Sequence, residues 1–506
     1  MDRALGRARW LPFALALLVS GWTLGFDYVH DDFSLVKANA DLARGDWAQL
    51  ATAPLTRWMG RGYPYYRPLA MLSYAVDEAL FGAGPTGHHA VNVLLHGLCA
   101  LLVCELALAL GEDRRVALTA GCLFALHPAH AEAVAWISAR ADLLATLAAL
   151  GAWVSFLRER KALALGLFAT ALASKESAAA LPLVMLLCGG TRDGSVRRVA
   201  PCFAVALAWL VVRGIAVGPT PLALRHQLAR VPPALAGAAV AHLALEVAGH
   251  LAGAGVGRLD FTIHRLGAPG GRALALAAAL LLAGLALADR RRDGARGWGL
   301  AALALFAPLA GLLLQPGSAL LALRYLYLPS ALVVLGLARA TARVSLLVPV
   351  ALGLLFGVRL IGALGPFADA HALWAHEVAV SPGWSVAHGN LGLTLAGEGD
   401  PAAGRELTQA VALARGEGRQ PADALLGLAR IRMGANDLPG AAAYLEEAYR
   451  MDRNFPRLAA NLGFVYLLER RPADARPLLE QAVAQDPADA VSRANLDGVK
   501  AAAPPR

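Results

Sequence analysis

The feature that most constrains this chain is a series of apolar runs near the length of a membrane span, separated by arginine clusters. A spanning helix needs about 20 apolar residues. The runs fall at roughly 10–26, 89–110, 115–135, 142–157, 162–174, 177–190, 198–217, 272–288, 298–314, 320–338 and 344–364. Between them lie Glu112-Asp113-Arg114-Arg115, Arg158-Glu159-Arg160-Lys161, Arg192 to Arg198, Arg290-Arg291-Arg292 and Arg339 to Arg343. Placing every one of these clusters in the cytoplasm satisfies the positive-inside rule. Arg3, Arg7 and Arg9 precede the first run with no small-residue cleavage site after it, which reads as an uncleaved signal anchor. The composition agrees, since 16% of the 506 residues are charged against about 25% in a soluble protein.

This topology decides the reading of 234–255, which is apolar enough to cross. A crossing there would put Arg290 to Arg292 outside. His242, Glu246 and His250 also line one stripe of a helix. The segment is therefore expected to lie on the outer surface. About eleven spans then leave the N-terminus inside and the C-terminus outside, as for a multi-pass protein of a bacterial inner membrane.

On the same topology the polar residues gather outside. The first external segment, 27–88, opens with Asp27, His30, Asp31 and Asp32 directly after hydrocarbon-like sequence and also holds Arg67. A carboxylate at such a place is costly to desolvate and usually faces a wet cavity with a task there. Two adjacent acids can divide the labour between base and binding group; the plainer reading is that they cap the next helix. The second segment carries His127, His130, Glu132, Trp136, Arg140 and Asp142, the third Lys175 and Glu176, and the last Gln315, Arg324, Tyr325 and Tyr327.

Each of these has a bland counterpart. His127, His130 and Glu132 are metal-ligand types, but their spacing matches no zinc arrangement, so a divalent metal is not supported. Hydrogen bonding inside a pocket, or contact with a phosphate, suits them better. Trp136 also reads as an interfacial belt residue, and Arg140 with Asp142 as a helix-end pair. A mutual salt bridge is the plain reading of Lys175-Glu176, and an anion site the sharper one. Arg324 with its two tyrosines, and Arg67 before Pro68, suit phosphate. The cytoplasmic arginines read as topological anchors only. All five cysteines sit inside apolar runs and behave as small hydrophobes.

Beyond residue 365 the composition changes. Residues 366–506 carry 14 Lys and Arg against 17 Asp and Glu, so the net +9 divides into +12 before and −3 after. Such a balance indicates membrane anchoring and no nucleic-acid surface. Leu428, Leu462 and Leu496 recur at a spacing of 34, and the copy with Leu462-Gly463, Tyr466, Ala475, Leu479, Ala482 and Pro487 follows the tetratricopeptide pattern. Ala441, Leu445 and Ala448 form an earlier copy, and Ala403, Leu407 and Ala410 a looser one. About three repeats and a partial cap predict an α-solenoid with a concave peptide-binding face; a spacer or dimerisation domain is the alternative.

A basic set with paired carboxylates at an outer membrane face suits transfer of a sugar from a lipid-linked phosphate: cations hold the leaving phosphate and a carboxylate deprotonates the acceptor. No glycine loop for a nucleotide is present. In this the chain resembles the transmembrane and tetratricopeptide-repeat O-mannosyltransferases and their bacterial relatives, among the membrane GT-C glycosyltransferases. The matching stretches are His30-Asp31-Asp32, Tyr66-Arg67-Pro68 through Tyr74, His89 through Asn92 to His96, and Leu126-His127-Pro128 through Ala145. Ser174-Lys175-Glu176 with Leu181-Pro182-Leu183, and Arg324-Tyr325-Leu326-Tyr327 through Ser330, complete them. The segment 213–271 departs from the family pattern.

The resemblance implies an all-α GT-C bundle over 1–365 with an external repeat domain over 366–506. It implies inverting transfer of a mannose-like sugar from a polyprenyl-phosphate donor to a protein hydroxyl, with no further cofactor. Asp31 would be the base and Asp32 would position acceptor or sugar. Arg324, Lys175 and the His127–Arg140 loop would face the donor phosphate, and the repeats would guide a protein acceptor. Two rivals remain: an enzyme of the same fold acting on an envelope lipid or glycan, and a non-catalytic membrane-anchored repeat scaffold.

Overall fold

The computed structural model describes residues 6–59, 65–187, 196–218, 323–455, 457–486 and 489–502. The expected spans 272–288 and 298–314, the surface helix 234–255, Arg290 to Arg292, Gln315 and most of 213–271 lie outside them. All regular structure among the described residues is helical. The chain divides into two compact units, Met1–Asp369 and Ala370–Arg506.

In the first unit the main helices are α1 (Leu11–Ser20), α2 (Pro68–Phe81), α3 (Pro85–Ala109), α4 (Arg114–Leu126), α5 (Arg140–Leu157), α6 (Lys161–Ser174), α7 (Leu181–Leu187), α8 (Val196–Val217), α9 (Tyr327–Thr341) and α10 (Leu347–Leu364). Among the described residues five segments are long and apolar enough to cross a membrane: Pro85–Ala109, Ile137–Leu157, Val196–Val217, Leu323–Thr341 and Leu347–Phe367. The chain is thus a multi-pass membrane protein. Leu207, Leu210, Val211 and Ile215 of α8, with Leu354, Leu355 and Val358 of α10, are exposed and form faces suited to hydrocarbon.

Other expected spans are shorter than their apolar runs suggest. The run 115–135 stops at Leu126 because His127, preceding Pro128, is extended with ψ 124°. At 14 residues, Lys161–Ser174 is about 21 Å long, well under a hydrocarbon core of about 30 Å. The first run is helical only over Leu11–Ser20 and then tightens into a 3-10 turn at Gly21–Gly25.

Close packing of α1, α3 and α4 rests on small residues. A Cβ on Gly121 would meet Pro12 at 2.7 Å and the Ala100 carbonyl at 3.0 Å, so only glycine admits this approach. At the Arg-rich ends the arginines do more than anchor. Arg158 binds Glu105 at 2.5 Å, Arg339 pairs with Glu112, Arg198 with Glu159, and Arg115 donates to the Val344 carbonyl at 2.6 Å. These contacts clasp helix ends together on one face of the bundle.

The opposite face carries a small folded cap. Between Phe26 and Arg67 the chain forms short helices around Tyr28, Leu35, Leu42, Leu50 and Leu55, packed on Met71, Tyr74 and Ile137. Asn39 and Asp46 cap two of these helices with side-chain acceptors. Asp41 gathers Arg44 and Arg57, each at 2.5 Å, and the Trp58 indole at 2.9 Å. Chiefly because Arg57 donates to it, its carboxyl is drawn down to about 2.

The second unit is a run of helical hairpins: α11 (Ala370–Val380), α12 (Ser385–Glu398), α13 (Ala403–Gly416), α14 (Ala422–Gly434), α15 (Leu438–Met451), α16 (Leu458–Leu468), α17 (Pro472–Gln485) and α18 (Ala490–Ala502). Its core uses the repeating positions: Leu407, Ala410, Leu428, Ala441, Leu445, Ala448, Leu462, Ala475, Leu479 and Leu496 are all buried. Gly392 lets α12 and α13 touch, since a Cβ there would lie 2.9 Å from the Leu407 backbone nitrogen.

Candidate functional site

The two adjacent acids after α1 are unlike one another. Asp32 is fully buried. It accepts from the Val29 N–H at 3.1 Å, the Ser138 N–H at 2.7 Å and the Ser138 hydroxyl. It therefore sews the segment after α1 to the turn Ile137–Ala139 that opens α5. Burial pushes its carboxyl up to about 7 against the pull of these donors. Asp31 lies at the surface of the cap, its side chain 20% exposed and 3.6 Å from the His30 imidazole.

His30 takes a left-handed backbone, φ 47°, uncommon outside glycine. That turn lays its ring on Trp136, centroids 5.3 Å apart and planes 17° from parallel. The Arg324 guanidinium sits 4.6 Å from the same Trp136 ring and 4.9 Å from Tyr325. Asp31, His30, Trp136, Arg324 and Tyr325 thus form one contiguous series from acid to cation.

Lys175 lies over the Tyr325 ring at 4.6 Å and binds both oxygens of Asp142 at 2.6 Å. Arg324 takes Glu132, which also accepts the Arg324 backbone N–H at 3.1 Å. Arg67 grips Glu176 through two nitrogens, at 2.6 and 3.2 Å. Neither local pairing expected from the sequence occurs: Lys175 does not take Glu176, and Arg140 does not take Asp142. Three cations and three carboxylates meet here, each pair made across loops.

Other expected phosphate contacts lie in the packed interior. His127, His130 and Tyr327 are wholly buried with Phe124 and Phe356, His130 centred 4.4 Å from Phe124 and His127 4.9 Å from Phe356. The Tyr327 hydroxyl meets His96 at 2.6 Å; Ser330 donates to the Tyr327 carbonyl at 2.7 Å and so accepts from His130. Arg140 is wholly buried too, bonded to Asn92 at 2.8 Å, the His88 carbonyl at 2.7 Å and the Asp77 carboxylate. Most of their polar atoms are bonded within the protein, the His130 Nδ1 being buried without a hydrogen-bond partner, and they stand behind the site. The sequence marks His30 beside the paired acids and Ser138 as part of a polar loop, but carries no signal for Asp77 or for Tyr65, which is stacked on Arg67 at 4.6 Å. Among the described residues no three His, Cys, Asp or Glu side chains group to hold a metal ion.

Residues 432–496 match the tetratricopeptide repeat model. The chain is 37% identical over 194 residues to protein O-mannosyl-transferase Tmtc2 of Drosophila melanogaster, covering 34% of this chain and 20% of that one. It is 36% identical over 157 residues to human protein O-mannosyl-transferase TMTC1, covering 28% and 17%. Each match thus spans a fifth or less of the relative's length. Among solved structures, ArnT from Cupriavidus metallidurans bound to undecaprenyl phosphate aligns with 94% of this chain and 80% of its own, at 17% identity and a TM-score of 0.42. In sequence the chain is similar to the Tmtc protein O-mannosyl-transferases over these stretches.

Proposed function

We propose that this chain is an integral-membrane inverting glycosyltransferase of the GT-C kind, using a polyprenyl-phosphate-linked, mannose-like sugar as donor. The observation that carries the reading is the division between the two acids. Asp32 is consumed by Ser138 and Val29, and Asp31 stands open beside a basic and aromatic cluster. In the reaction the Asp31 carboxylate takes the proton of an acceptor hydroxyl. That oxygen attacks the anomeric carbon from the face opposite the phosphate. The sugar–phosphate bond breaks, its electron pair leaves with the phosphate, and Arg67, Lys175 and Arg324 stabilise the charge. Asp32 acts by position, holding the first external segment against α5.

The site faces the extracytoplasmic side, with the Arg-rich face inside. The repeat unit presents a protein acceptor, in keeping with its solenoid of hairpins. The test is transfer of radiolabelled sugar from polyprenyl-phosphate donors in membranes holding wild type, Asp31→Asn or Asp32→Asn. Wild type transfers label to protein. Asp31→Asn loses about 10²-fold or more in rate and melts like wild type. Asp32→Asn turns an amide N–H on a buried donor and loses about 1–3 kcal/mol of stability as well. Label in the lipid fraction would assign a lipid acceptor, and unimpaired transfer by Asp31→Asn would remove it as the base.

A further inference from the structure

We propose that Glu176 is a displaceable counter-ion that holds the phosphate-binding fork of Arg67 until the donor arrives. The inference rests on the glycosyltransferase reading and gives Glu176 a role opposite to that of a binding residue. As built, Arg67, Lys175 and Arg324 are each matched by one carboxylate, so the cluster offers an arriving anion no net charge. Lys175 also lies within electrostatic reach of both arginines. A phosphate can gain from this cluster only where a carboxylate yields its place.

The three carboxylates differ in how readily they can leave. Glu132 is 1% exposed and is held by both the backbone and the side chain of Arg324. Asp142 is 8% exposed, with both oxygens on Lys175, and stands in the first turn of α5. Displacing either would strand a buried charge, a severe penalty. Glu176 differs. Its side chain is 34% exposed, its side-chain bonds go to Arg67, and it stands in the short turn Glu176–Ala180.

Its two oxygens sit on the Arg67 Nε and Nη2 in the fork that a phosphate takes by the same geometry. Rotating outward, Glu176 gives up the Arg67 pair and the pull of Lys175 for water, a lower cost than removing the more deeply buried Glu132 or Asp142. Arg67 meanwhile stays aligned by Tyr65. The carboxylate thus keeps the fork shaped and competes with whatever anion enters it.

The test measures binding of undecaprenyl phosphate, and separately inorganic phosphate, to the full-length chain purified in detergent. Wild type, Glu176→Gln, Glu176→Ala and Glu132→Gln are compared, with thermal melts as the fold control. Removing the competitor tightens binding about 5-fold in both Glu176 variants, and more than in Glu132→Gln, which adds the same net charge but frees no fork. Tightening toward the lipid alone assigns a lipid phosphate as the displacing group, and tightening toward both assigns the phosphate group itself. Unchanged or weaker binding by folded Glu176 variants, with wild type binding normally, would overturn the counter-ion role and leave the glycosyltransferase reading standing. Absence of lipid-phosphate binding by wild type and variants alike would overturn both.

Discussion

The membrane unit and the repeat unit use charge in opposite ways. In the membrane unit the ion pairs of the site and of the layer behind it have buried or nearly buried carboxylates and join distant parts of the chain. Lys175 reaches back 33 residues to Asp142, Arg140 63 to Asp77, and Arg324 192 to Glu132. In the repeat unit, His388–Glu406 apart, they are wet and most are local. Arg471–Asp474 and Arg476–Glu480 each lie within about one helical turn, and the longer Arg415–Glu447 still has a half-exposed arginine. The difference teaches what holds each unit in register. Repeats are aligned by small and leucine side chains recurring along the helices, and their charges are solvated trim. The polar face of the membrane unit that carries the site is aligned by its charges, because apolar helices alone leave their mutual register weakly specified.

The sharpest way to break this comparison is to remove one buried charge. Asp77 stands on α2, 3% exposed, bound to Arg140 of α5 and to His88 of α3 at 2.8 Å. Asp77→Asn keeps the shape and strands the Arg140 guanidinium among buried dipoles, so it should cost about 3–5 kcal/mol. Reversible unfolding in mixed micelles reads this directly. A loss below about 1 kcal/mol would mean the network is ornament, and the two units would not differ in kind.

The same contrast explains what could be read from the sequence. The repeat unit was legible because its signal is local: a leucine every 34 residues and small residues at helix contacts appear as buried positions on successive hairpins. The membrane unit was legible as a set of apolar runs, yet not in its helix lengths, since Pro128 cuts one run and a 14-residue helix is shorter than a full crossing. The polar residues of the site were legible as a group but not as partners. Lys175 with Glu176, and Arg140 with Asp142, look like natural pairs on a one-dimensional string. The fold instead deals each charge to another loop, and nothing in residue spacing encodes a contact across 109 positions such as Arg67 with Glu176. For the same reason His127 and His130 resembled surface ligands, because an aromatic cage built from α4, α9 and α10 is visible only after folding.

An intermediate effect comes from the cap over the site. Asp41 has its carboxyl drawn down to about 2 from an ordinary 3.8, with Arg57 the leading cause. A depressed carboxyl contributes stability above its unfolded value and loses it as pH falls toward its folded one. The cap should therefore hold above about pH 4 and loosen progressively between about pH 4 and 2. Because the Trp58 indole donates to Asp41, emission from Trp58, isolated by replacing the other tryptophans with phenylalanine, follows the change. Asp41→Asn should weaken the cap at neutral pH and flatten the transition. A transition that persists unchanged in the variant would place its origin elsewhere.

The smallest expected effect lies in the repeats, and it sharpens the comparison by its smallness. Arg476 and Glu480 face each other at 3.0 Å on α17, with side chains 49% and 46% exposed. Their order is the weaker one for an i,i+4 pair, since the base precedes the acid. Arg476 also stands near the N-terminal end of Pro472–Gln485, where the helix dipole disfavours a cation. A double-mutant cycle with Arg476→Ala and Glu480→Ala should therefore return a coupling of about 0.3 kcal/mol or less, and molar salt, with a screening length of about 3 Å, should erase it. A coupling above about 1 kcal/mol would show that ion pairs also set register in the solenoid. Alignment by small and leucine side chains would then no longer account for that unit. A vanishing coupling leaves buried charge as the distinguishing device of the membrane unit, the place where a phosphate would have to compete for it.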